Sequence, residues 1–209
     1  MSGLPARAEG HMEMPPEFAS EHESLRISGF WMFLATDILL FASLFASYAV
    51  YHNRTAGGPT PAHVLGLGSA VVETFLLLTS SFTVGIAIWA MRQGKQSLMT
   101  VFLIVTLALG AGFVGTELHE FIADVARGAS WQTSAFLSSF FLLVATHGAH
   151  VSFGILWAIA LILQVRRRGL TPTTRRKVYT FSLYWHFLDV IWVMIFTVVY
   201  LGANLGGKI

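Results

Sequence analysis

An all-α integral membrane bundle of five transmembrane helices is the fold class this sequence predicts, and three observations carry the prediction. Of 209 residues, 55% are hydrophobic and only 11% charged, with a mean hydropathy of +0.65. An average soluble domain carries about 25% charged residues, so the chain has too little charge to coat a water-soluble core. It also has too much apolar surface for intrinsic disorder. The second observation is the gathering of apolar residues into five long segments, at approximately 28–51, 66–91, 98–121, 133–165 and 178–203. Each exceeds the about 20 residues a helix needs to cross the hydrocarbon core. The third is that no series of roughly ten-residue alternating strands is present, as a barrel would require. A helix satisfies its own backbone in lipid, so five helices are the economical reading.

Residues 1–27 read as a polar, mobile cytoplasmic tail, with Glu9, Glu13, Glu17, Glu21 and Glu23 and the prolines Pro5, Pro15 and Pro16. The tail is too acidic, and lacks the early apolar run, for a cleaved signal peptide. The first segment then serves as an uncleaved anchor. Between it and the second runs a turn-rich connector, Asn53 to Thr60, containing Gly57, Gly58 and Pro59. The third segment carries Ala108, Ala111, Gly112 and Gly115, small residues four apart that would let helix backbones approach closely. The fourth is long enough to tilt or protrude, and its Ser138-Ser139 pair reads as helix–helix glue. The fifth is followed by a short tail, 204–209. Trp31, Trp131, Tyr48, Tyr51, Tyr184 and Tyr200 lie toward segment ends, where interfacial anchors belong.

Orientation follows from the basic residues. With the N-terminus cytoplasmic, ten face inward: Arg7, Arg26, Arg92, Lys95, and the loop group Arg166, Arg167, Arg168, Arg175, Arg176 and Lys177. Three face outward, Arg54, Arg127 and Lys208, which places the C-terminus outside. This concentration in one loop, without interleaved aromatics, argues against a nucleic-acid partner despite a net charge of +2. The absence of cysteine removes disulfides, thiolate zinc sites and cysteine nucleophiles.

The candidate site residues are the ionisable side chains inside the apolar segments: Asp37, Glu73, Glu117, His147, His150, His186 and Asp189. A charge at the bilayer centre costs about 2.5–3.5 kcal/mol on the insertion scale, so such residues face protein or water and have partners. Counting about 1.5 Å per residue puts Asp37 roughly 14 Å from the cytoplasmic end. His186 and Asp189 fall at a similar depth, His147 and His150 fall near mid-helix, and Glu73 and Glu117 lie toward the outer side. His186 and Asp189 share a helix face, flanked by Trp185 and Trp192, and a carboxylate beside an imidazole lowers the burial cost. His147 and His150 are likewise three apart, with Gly148 and Gly154 opening space for a neighbour. Asp37 is expected to meet either the fourth-segment histidines or the His186–Asp189 pair.

Other chemistries find less support. A bis-histidine haem would need His150 and His186 on facing helices, which keeps a self-contained haem-binding membrane protein as an alternative from another class. A di-iron carboxylate site needs a Glu-x-x-His pair on each of two helices, and Glu117-Leu118-His119-Glu120 has the wrong spacing. No phosphate-binding glycine loop and no Gly-x-Ser-x-Gly motif is present. An intramembrane serine hydrolase would need a Ser–His dyad in a wet cleft. A proton-coupled transporter would show repeats and broken helices, and none is visible. No catalytic, cofactor-binding or metal-ligating residue is therefore assigned. The ionisable set is read as a buried polar network that serves packing, lipid contact or proton-uptake support.

Three motifs carry a family resemblance. Tyr184-Trp185-His186-Phe187-Leu188-Asp189-Val190-Ile191-Trp192 resembles the last-helix motif of subunit III of haem–copper terminal oxidases. Thr146-His147-Gly148-Ala149-His150-Val151 resembles that family's His-Gly-x-His segment. The run Phe33 to Phe41 resembles the segment holding the family's buried acid, usually glutamate and here the shorter Asp37. The resemblance spans about residues 26–203. Five helices, the connector Arg54 to Thr60, Arg167-Arg168-Gly169-Leu170-Thr171 and the run Val72 to Leu78 look closest to the quinol-oxidase branch, the bacterial cytochrome o ubiquinol oxidases. The resemblance implies an accessory subunit of a complex that oxidises ubiquinol, reduces dioxygen to water and pumps protons. Haem and copper would sit in partner subunit I, and this chain would bind none. It would pack against subunit I, share the complex with subunits II and IV, hold structural phospholipid and support proton uptake. The location implied is the bacterial cytoplasmic (inner) membrane, with the C-terminus periplasmic. Subunit III of a cytochrome c oxidase is the nearest alternative.

Overall fold

A computed structural model describes residues 21–57 and 66–203, with side chains from Ser28 onward. The expectations for residues 1–20, for the connector beyond Gly57 and for 204–209 lie outside that range. The described chain folds into five long helices: α1 (Glu21–Tyr51), α2 (Leu67–Arg92), α3 (Gln96–Ala126), α4 (Ala135–Arg168) and α5 (Pro172–Ile195). A π-helical turn, Phe196–Leu201, prolongs α5. All five are long and apolar enough to cross a membrane, and no strand occurs among the described residues.

The helices extend past the expected apolar limits because caps, not hydropathy, end them. α1 starts at Glu21, ahead of its apolar part at Ser28. α5 starts at Pro172 instead of 178: Thr171 accepts a hydrogen bond from the Thr174 amide, and proline occupies the first helical turn. The Ser134 hydroxyl caps α4 in the same way, accepting from the Leu137 amide. α4 stops where Gly169 takes φ +67°, a left-handed conformation that suits glycine.

α5 is the central element, packed by α4, α2 and α1, while α3 lies across α2 and α4. α1 is peripheral. Its covered stripe, Leu34, Asp37, Phe41 and Tyr48, follows helical spacing, and most of its other side chains face outward. At the arginine-rich end the loops clasp the helices. Arg175 donates to the Met91 carbonyl at the end of α2 (3.3 Å), Gln96 donates to Val165 O (3.2 Å), and Lys177 donates to Gln164 Oε1 (2.9 Å). A cation at a helix C-terminus satisfies carbonyls the helix itself leaves open.

Three expectations about packing are corrected. Ala108, Ala111, Gly112 and Gly115 are all exposed; a Cβ at Gly112 would meet Leu76 of α2 only at ordinary contact distance, 3.8 Å, and one at Gly115 would meet nothing within 4 Å. The close approach on α3 is at Gly110, where an added Cβ would lie 2.8 Å from the Trp185 ring. Tyr48, Tyr184 and Tyr200 are core residues, unlike the exposed Trp31, Trp131 and Tyr51. Tyr184 can be buried because its hydroxyl donates to His150 O (2.9 Å). Ser138 and Ser139 bond locally, to Trp131 O and Phe136 O. The interhelical bonds come instead from Trp185 to Ser80 (2.9 Å), Trp192 to Thr74 (3.0 Å) and Thr83 with Thr106 (2.7 Å).

Candidate functional site

The ionisable residues do not form one constellation. They divide into three groups along the bundle. The first joins α1 to α4. Asp37 is buried with His150 opposite it, Oδ2 to Nε2 3.9 Å, and that oxygen has no hydrogen-bond partner among the described residues. Of the two meetings expected for Asp37, this is the one with the α4 histidines. The other ring nitrogen of His150, Nδ1, lies 2.7 Å from Thr146 O, which makes it the protonated one. Phe41 packs over the His150 ring at 5.3 Å.

His147, one turn earlier, is fully enclosed in an aromatic box: Trp192 at 5.4 Å, Phe113 at 5.7 Å and Phe41 at 6.3 Å. Neither ring nitrogen has a hydrogen-bond partner among the described residues. Aromatic faces carry negative charge density, so an imidazole N–H directed at one retains part of the interaction it loses on leaving water.

The second group lies toward the end opposite the arginine loop. Glu73 on α2 is fully buried and Glu117 on α3 nearly so, and none of their four carboxyl oxygens has a hydrogen-bond partner among the described residues. Thr116 lies beside Glu73 but donates its hydroxyl to Phe113 O (2.8 Å). The two carboxyls and Glu120 are close enough to feel one another, and Tyr200 on the π-helical turn faces the same group. Glu117 fits only because residue 148 is glycine: a Cβ there would come within 2.9 Å of both its oxygens. A small polar pocket of about 130 Å³, bordered by Gly66, His119, Glu120, Asp124 and Arg127, opens at this end. Arg127 pairs with Asp124 there at 3.3 Å.

The third group is on the outer surface of α2 and α5. His186 is exposed and its Nδ1 lies 2.5 Å from Ser81 Oγ, while the buried Asp189 faces the same serine. Trp185 and Trp192, expected to flank this face, turn into the core instead. The Ser81–His186–Asp189 grouping has the residue types of a hydrolytic triad in the wrong order. A triad needs the carboxylate on the histidine nitrogen remote from the serine, whereas this carboxylate addresses the serine.

Among the described residues, the histidines singled out in the apolar segments are not arranged to hold a haem or metal. His150 points to Asp37 and His186 to Ser81, and His147 is boxed by hydrocarbon rings. Among the described residues no three His, Asp or Glu converge as a metal-binding group. Sequence reasoning missed Ser80, Ser81, Thr74, Gly110, Glu120 and Asp124. The hydroxyls were legible as polar atoms in apolar segments, but their low cost in lipid makes them weak signals. Glu120 and Asp124 were hidden by placement at a helix end, where charge is unremarkable.

Comparison with known proteins gives a consistent result. The family model described as "Cytochrome c oxidase subunit III" matches residues 17–204. The "Quinol oxidase subunit 3" of Bacillus spizizenii is 52% identical over 198 residues, 95% of this chain and 97% of the relative. The "Cytochrome bo(3) ubiquinol oxidase subunit 3" of Pseudomonas putida is 46% identical over 182 residues, 86% of this chain and 88% of the relative. The "Cytochrome c oxidase subunit 3" of Bacillus sp. (strain PS3) is 43% identical over 199 residues, 95% of this chain and 96% of the relative.

Proposed function

The chain belongs to the cytochrome c oxidase subunit III family, and from that premise we infer that it is the accessory, non-catalytic third subunit of a terminal quinol oxidase. It is a multi-pass membrane protein of a multi-subunit oxidoreductase complex. The observation that carries the reading is the near-full-length match to quinol oxidase subunits by a chain whose own histidines and carboxylates are dispersed. The complex oxidises quinol and reduces dioxygen. The redox centres, haem and copper, belong to subunit I, against which this chain packs, in company with subunits II and IV. The electron donor is ubiquinol and the location is the bacterial inner membrane.

The N-terminus lies in the cytoplasm and the C-terminus in the periplasm, an orientation supported by the basic loop between α4 and α5. Residues 1–27, the last seven of which begin α1, lie on the cytoplasmic side of the domain 28–203. Asp37 with His147 and His150, Glu73 with Glu117, and His186 with Asp189 are three separate polar groups that serve packing, lipid contact or proton-uptake support. Phospholipid is seated in an apolar groove of about 640 Å³ beside Phe121, Trp131, Phe141 and Leu142. Its hydrocarbon lining suits an acyl chain.

The test is to purify the complex through this subunit and measure oxygen uptake with quinol and with reduced cytochrome c. Quinol-dependent uptake and a copper-free subunit II are expected. Cytochrome c-dependent uptake with copper in subunit II would move the chain to the cytochrome c oxidase branch. A Soret band retained by this subunit alone would overturn the accessory reading.

A further inference from the structure

We propose that the surface around Ser81 and His186 is the seat of a transmembrane helix from a neighbouring subunit, one that brings a hydrogen-bonding side chain to His186. The inference rests on the chain's being one subunit of a complex and adds which face meets a partner and by what chemistry. His186 is exposed in the middle of α5, and Ser81 lies in the middle of α2. Ser81 is eleven positions from Arg92, about 16 Å at 1.5 Å per residue, which is the centre of a hydrocarbon core about 30 Å thick. Lipid headgroups and interfacial water do not reach that depth, and acyl chains offer no hydrogen bond.

Ser81 already meets one ring nitrogen of His186, with Nδ1 2.5 Å from its hydroxyl oxygen. No described residue bonds to the other nitrogen, Nε2. A ring nitrogen left unsatisfied at this depth carries the cost of a lost hydrogen bond, whichever of the two holds the proton. The complementary group is a polar side chain on a membrane helix, a hydroxyl or an amide, either of which can donate or accept.

The surroundings have the shape for a helix. Phe82, Gly85, Ile86 and Trp89 border a hollow of about 420 Å³ beside His186. Phe82 is 70% exposed and Trp89 52%, so they stand up as its walls. A Cβ at Gly85 would meet nothing within 4 Å, which leaves the floor open to a knob from outside. Helices associate in membranes by such close packing together with interhelical hydrogen bonds.

A photoreactive amino acid at Phe82 or Ile86, in the intact complex in its native membrane, tests the proposal. The expected product is a covalent adduct with another subunit, mapping to a membrane helix with a hydroxyl or amide side chain within one turn. Adducts with lipid alone, or with a second copy of this chain, while the other subunits co-purify, would overturn the proposal and leave the oxidase reading standing. Isolation of the chain with no other subunit would remove both. His186→Leu is expected to leave the amount of chain in the membrane unchanged while reducing its recovery with the complex several-fold. His186→Gln, whose amide can both donate and accept, is expected to recover it. Unchanged recovery of His186→Leu would equally contradict the proposed contact.

Discussion

Asp37 occupies the one covered stripe of α1, and 3.9 Å separates its Oδ2 from His150. That is too long for a hydrogen bond, so Asp37→Asn removes a charge without removing a short contact. The assembled complex should retain most of its initial quinol-dependent oxygen uptake. Abolished initial turnover with assembly preserved would contradict an accessory role. Two glycines give a sharper contrast. A Cβ on Gly154 would sit 2.9 Å from the Trp185 ring and 3.3 Å from Tyr184, so Gly154→Ala should destabilise the subunit by about 1–3 kcal/mol through overpacking. Gly115 has nothing within 4 Å, and Gly115→Ala should be neutral or stabilising by up to about 1 kcal/mol through helix propensity. Thermal denaturation of the solubilised complex, followed by loss of this subunit, separates the two outcomes. The sequence marked Gly154 as a spacer and also marked Gly115 as one. Only the second reading failed, because composition along a helix does not say which side is turned inward.

At the scale of elements, α5 is the post on which the bundle is assembled. Trp185 alone touches three other helices: its indole donates to Ser80 on α2, and its ring fills the notches at Gly110 on α3 and Gly154 on α4. Trp185→Ala should cost about 3–5 kcal/mol, the range for truncating a large buried aromatic. The Thr83–Thr106 bond between α2 and α3 is a smaller tie. Thr106→Val should lose about 0.6 kcal/mol, the average for an interhelical hydrogen bond in a membrane. Denaturant titration of the two variants side by side checks both magnitudes and their order. Helix existence was legible from apolar length. Helix ends were not, because Thr171 with Pro172 and Ser134 close or open helices through local hydrogen bonds that hydropathy does not see.

At the scale of the whole molecule, the absence of cysteine makes orientation directly testable. A single cysteine replacing Arg167 should react with an impermeant thiol reagent only when the cytoplasmic side is opened. One replacing Arg127 should react from outside. The reverse pattern would invert the proposed topology. The same charge asymmetry divides the bundle into an arginine-clasped end and an end that gathers Glu73, Glu117, Glu120 and Asp124. The Asp37–His150 pair and the acidic end are therefore separable by position, and a substitution at one leaves the other in place.

Taken alone, the amino-acid order determined that the chain is a membrane protein, has five segments long and apolar enough to cross a bilayer and carries a subunit III signature, because each of these depends on local composition or contiguous motifs. It also identified the costly ionisable residues, since expense in lipid is a property of the residue type. Only the tertiary structure decided their partners: Asp37 with His150, Glu117 against Gly148, His186 with Ser81, and His147 enclosed by rings. Partnership depends on the rotation of each helix about its axis. That rotation is set by side chains from several helices packing at once, as Trp185 does between Gly110 and Gly154.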